Sequence, residues 1–148
     1  MSISFKNGFI YGLIATLLMT VIMLLGTVSG ISPMPAPIPV VLVKTVFGAM
    51  PKPVLMILGF IAHFIYGGVA GGIFVLFFKK SFQRNGFLWG VILWLIMQII
   101  FLPILGWGLF GSALTPKIAV ATLILHLIYG GTLGYYLAKR NVPASTAV

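Results

Sequence analysis

Four long apolar runs, separated by short groups of cationic, proline and polar residues, make up most of this chain. They extend from about Gly8 to Thr27, Val54 to Phe78, Gly86 to Phe110 and Ile118 to Ala138. At about 1.5 Å per helical residue each can cross a hydrocarbon layer roughly 30 Å thick, so each predicts a transmembrane helix. A fifth apolar stretch, Val40 to Met50, is too short to span and is expected to lie in the interface or fold back onto the bundle. It belongs to the one long connection, residues 31–53, where Pro33, Pro35, Pro37 and Pro39 predict an extended, polyproline-like path. The closing NVPASTAV is small and polar and reads as a short flexible tail.

Charge placement gives the spans a direction. With the N-terminus in the cytoplasm, Lys6, Lys79, Lys80, Arg84, Lys139 and Arg140 fall inside, and only Lys44, Lys52 and Lys117 fall outside. A multi-pass protein of the cytoplasmic (inner) membrane, with both termini cytoplasmic, is therefore expected. The first span follows a lone Lys6 and ends in GTVSG, as a signal peptide would. Its apolar core is too long for one, and it shares a pattern with the third span.

Composition narrows the chemistry. The chain is 61% hydrophobic and 6% charged, whereas soluble domains are about 25% charged. Its net charge of +9 is spread in ones and twos beside apolar runs, so the bilayer is the expected partner and nucleic acid is not. There is no cysteine, hence no disulfide and no thiolate ligand. There is no Asp or Glu, hence no catalytic carboxylate pair, no acidic proton relay and no acidic ligand for a hard cation. No nucleophile stands beside a base and no phosphate-binding loop occurs, so an enzyme is not expected.

Two motifs recur. NGFIYG at residues 7–12 returns as NGFLWG at residues 85–90, and HFIYGGVAG at residues 63–71 returns as HLIYGGTLG at residues 126–134. The first offset is longer than the second, and the proline-rich connection is the natural place for the extra length. The chain thus reads as an all-α integral membrane protein with four transmembrane helices in a tandem repeat of a two-helix hairpin. Residues 1–80 form one hairpin and residues 81–148 the other, related by a pseudo-twofold axis along the membrane normal. Gly67, Gly68 and Gly71, with Gly130, Gly131 and Gly134, are expected to be helix-packing surfaces, since small residues four apart let backbones approach.

The second motif carries both histidines of the chain. Gly59, His63, Gly67 and Gly71 share a helix stripe, as do Thr122, His126, Gly130 and Gly134. Counted from the cytoplasmic charges, His63 lies roughly 24 Å deep, His126 roughly 20 Å, and Thr20 and Gln98 roughly 21 Å. These four define a polar layer, with Tyr66 and Tyr129 three residues beyond each histidine. The favoured reading is structural: neutral imidazoles bond across helices to Thr20, Gln98 or a freed carbonyl and fix the register, while the tyrosine rings pack beside glycine, with a hydroxyl bond to an imidazole or a backbone carbonyl as the alternative. A second reading places a b-type haem between His63 and His126, with neighbouring glycines clearing room for the macrocycle. A third adds Met19 and Met97 as soft ligands for Cu(I), although methionine is also an ordinary core filler. Transport of a small solute is a further alternative, and Pro103 is the one residue placed to kink a span.

The HxxYG pattern at residues 63–67 and 126–130, on glycine-rich spans, resembles small four-helix bacterial inner-membrane families of unknown function. That resemblance implies a bundle in the cytoplasmic membrane and no particular activity. The expected role is a helix-packing accessory or structural subunit, as a homo-oligomer or within a larger membrane complex.

Overall fold

The computed structural model describes residues 3–141. In chain order it contains α1 (Phe5–Val28), α2 (Ile38–Phe47), α3 (Lys52–Phe77), α4 (Phe82–Ile96), a π-helical turn (Met97–Phe101), α5 (Leu102–Ile104), a 3-10 turn (Leu109–Gly111) and α6 (Lys117–Arg140). Four units are long and apolar enough to cross a membrane: α1, α3, the composite third span Phe82–Ile104, and α6. The architecture is all-helical. The tail expected after Asn141 lies outside the described residues.

The interior is largely apolar, as in a soluble bundle, but the exterior is apolar too. Leu17, Leu25, Ile57, Ile65, Ile99 and Val120 are exposed, while Thr16, Thr20, Gln98, Thr122 and His126 are buried. Such an apolar exterior suits lipid, where the polar groups that helices do carry must find partners inside the bundle.

Helix α1 packs along α3, α4 packs along α6, and α1 against α6 joins the two pairs. Both pairings depend on missing side chains. A Cβ on Gly8 would strike the Gly71 carbonyl, and one on Gly86 would strike the Gly130 carbonyl. The next glycines repeat the pattern one turn on, Gly12 against the Gly67 carbonyl and Gly90 against the His126 carbonyl. Gly68 and Gly131 seat the rings of Phe9 and Phe87. Under the sequence alignment of the halves, Gly86 should meet Gly134 as Gly8 meets Gly71. The α4–α6 contact is instead displaced by one turn. That displacement carries His126 into the helix contact, whereas His63 lies one turn beyond the Gly12–Gly67 approach.

The long connection departs from the polyproline path that its sequence predicts. Residues 33–36 form bends, and helix begins at Ile38 with Pro39 in its first turn. Proline is tolerated there because its fixed φ is already helical and the first-turn N–H groups have no helical acceptor. Helix α2 folds back onto α3, with the Val40 backbone so close to Gly59 that a Cβ there would lie 2.9 Å from it. It ends at Gly48, whose φ of 86° admits the reversal.

The third span stops at Ile104 rather than Phe110. Pro103 has no N–H to offer the preceding turn, and Gly106 and Gly108 adopt φ of 75° and 72°, which ends the helix. The strain is absorbed upstream as a widened turn in which the Leu102 N–H bonds the Met97 carbonyl five residues back.

Candidate functional site

The widened turn lies beside the polar layer, and Gln98 within it is fully buried. Its Nε2 donates to Thr122 Oγ1 on α6 at 2.9 Å, and that hydroxyl in turn donates to the Ile118 carbonyl at 2.7 Å. One turn further, His126 Nδ1 lies 2.8 Å from the Thr122 carbonyl. A carbonyl can only accept, so Nδ1 carries the proton and the neutral ring keeps its lone pair on Nε2. Tyr129 completes this face of α6 by donating its hydroxyl across the bundle to the Gly67 carbonyl of α3 at 2.6 Å.

These bonds correct the sequence reading in two respects. His126 bonds its own helix rather than Thr20 or Gln98, because an imidazole on a helix reaches the carbonyl one turn back with no change of backbone. Tyr129 is more than a ring packed beside glycine: Gly67 lacks the Cβ that would screen its carbonyl, so the hydroxyl reaches it. Tyr66 on α3 is half-exposed instead, with its ring edge-on to Phe101 at 6.0 Å. Thr20 Oγ1, His63 Nε2 and Gln98 Oε1 are buried without a hydrogen-bond partner among the described residues. The expected cross-helix bonds of Thr20 and His63 are not formed.

Between the two helix pairs, in the half of the bundle nearest the 31–53 connection, lies a cavity of about 120 Å³. Met19 and Met23 of α1, Met34 of the connection, His63 of α3, Met97 of the π turn and His126 of α6 line it together with Tyr66 and Thr122. Helix α2 covers one side with Ile38, Pro39 and Leu42, and exposed Ala62 and Tyr66 stand at the rim. A void of about 20 Å³ shares Met19, His63, Tyr66 and His126 with it and reaches Tyr129. That is space for one water. The structure thus brings both histidines to one place. Met23 and Met34 have no signal in the repeat, and only the folding back of α2 brings Met34 in.

The family model matches residues 4–147, nearly the whole chain. The chain belongs to the DUF6789 family. It is described as a family of unknown function, and no curated protein or solved structure matches. The haem reading of His63 and His126 gains nothing from the geometry: pockets for drug-sized ligands occupy about 300–1,000 Å³, and a porphyrin needs more room than the cavity holds. Among the described residues no three groups drawn from His, Cys, Asp and Glu come together as a metal site.

Proposed function

We propose that this protein is a non-enzymatic accessory of the cytoplasmic membrane that holds one small guest in the cavity between its two hairpins. Both termini face the cytoplasm in this reading, as the distribution of lysine and arginine favours. The chain arose as a duplicated hairpin, and the one-turn slip between the two glycine contacts gave its halves different tasks. On the slipped side the π turn that follows α4 ties Gln98 to Thr122 of α6, and His126 bonds back to the Thr122 carbonyl within α6. The other side leaves His63 Nε2 buried and unbonded beside the void.

The cavity itself carries the reading. A bundle kept only for packing gains by closing such a space, since each unfilled contact forfeits dispersion energy. Long flexible methionines could collapse into the void, yet it stays open.

A thiol scan tests this in a chain that has no cysteine of its own. Leu125 and Leu133 are both buried in α6, at 7% and 0% exposure, but only Leu125 lines the cavity. Leu125→Cys should react with methyl methanethiosulfonate, a small neutral reagent, well ahead of Leu133→Cys. Equal rates would show that no guest reaches the cavity.

A further inference from the structure

Four of the six methionines among the described residues, and both histidines, converge on the one cavity. We propose that its guest is a single Cu(I) ion, held by the His63 and His126 imidazoles with at least one of the Met19 and Met97 thioethers, while Met23 and Met34 line the same space. This assignment rests on the receptacle reading above and names the class of guest.

The donor set decides the class. Thioether and imidazole are neutral, soft to borderline ligands that suit Cu(I), and the chain has no carboxylate or thiolate to offset a second positive charge. The cost of burying an ion rises with the square of its charge, so a divalent ion in these apolar surroundings is far worse placed than a monovalent one. A hard monovalent ion needs several oxygens, and among the lining side chains only Tyr66 and Thr122 supply any.

The histidines are disposed as ligands usually are. His126 gives its Nδ1 proton to a backbone carbonyl, which fixes the ring and leaves Nε2 as the donor atom. His63 Nε2 is buried and bonded to nothing among the described residues. A purely apolar guest would leave it so, whereas a cation takes its lone pair. The donors come from α1, α3, the π turn and α6, so one ion would tie the two hairpins together. Met34 arrives with α2, which makes that short helix the element that closes the site.

Ag(I), a soft ion of the same charge that undergoes no redox cycling, is the first probe, and Cu(I) kept reduced by ascorbate without oxygen is the second. The full chain in detergent is incubated with each, desalted, and the metal per chain counted by plasma mass spectrometry. One equivalent of either ion is expected, with Zn(II) substoichiometric. Met19→Leu combined with Met97→Leu changes volume little, and together they should weaken Ag(I) binding by at least about tenfold, as should His63→Gln alone. Substoichiometric Ag(I) in the unmodified chain, or wild-type affinity in the double leucine variant, would overturn the assignment. If the variants fail to fold, X-ray absorption at the copper edge on the unmodified chain decides instead: sulfur with nitrogen around copper supports the site, and an oxygen-only sphere refutes it. Fast labelling of Leu125→Cys without Ag(I) binding would sink copper and leave the receptacle standing. Slow labelling would remove both.

Discussion

Replacing Gly67 with alanine tests whether the α1–α3 contact is set by side chains that can be trimmed. An added Cβ at Gly67 overlaps the Thr16 hydroxyl and lies 3.0 Å from Thr16 Cβ and 3.3 Å from Thr16 Cγ2, all atoms of one side chain. Overpacking of this kind costs about 1–3 kcal/mol, set against the roughly 0.8–1.0 kcal/mol by which alanine favours helix over glycine. Thr16→Ala removes two of the three obstructing atoms. It also gives up the 2.8 Å bond from Thr16 Oγ1 to the Gly12 carbonyl, about 0.6 kcal/mol on the scale of membrane hydrogen bonds. The helix-propensity gain appears in both the single and the double variant and cancels in a double-mutant cycle. The double variant should therefore be about 1–2 kcal/mol more stable than the sum of the singles. Reversible unfolding in mixed micelles, followed by far-ultraviolet circular dichroism, measures each corner. Gly8→Ala is the control, because its Cβ meets the Gly71 backbone carbonyl, which no substitution at Thr16 can clear. Coupling within about 0.5 kcal/mol of zero for Gly67, or rescue of Gly8→Ala by Thr16→Ala, would refute the packing argument.

Tyr129→Phe deletes the hydroxyl that bonds Gly67 but leaves that carbonyl its own helical donor, so the loss should be about 0.6 kcal/mol and no more than about 1.7 kcal/mol by the same unfolding assay. A loss above about 3 kcal/mol would mean that the bond anchors more of the bundle than one contact. Single cysteines placed between Ser32 and Lys52 should be modified by an impermeant maleimide from the periplasmic side, and one at Gln83 should not. The reverse pattern would invert the proposed topology.

The periodicity of charge and apolar residues was enough to locate the four spans, because the thickness of a bilayer fixes helix length independently of how the helices pack. The glycines at 8, 12, 67, 71, 86, 90, 130 and 134 likewise announced close helix contacts, since only small residues permit them. Local sequence could not say which glycine faces which. The one-turn slip between the α1–α3 and α4–α6 contacts is a balance of side-chain fits along two whole interfaces, and it places the His126 carbonyl against Gly90 while the matching His63 lies outside the α1–α3 glycine contact. The end of the third span was decided by Gly106 and Gly108 taking positive φ, a choice open to glycine but not imposed by it. The candidate site was half legible. His63, His126, Met19 and Met97 stand at repeated positions, but Met23 and Met34 do not. Met23 follows Met19 by one turn of α1, whereas the place of Met34 in the cavity depends on α2 turning back over the bundle at Gly59, a long-range packing event that no local pattern encodes.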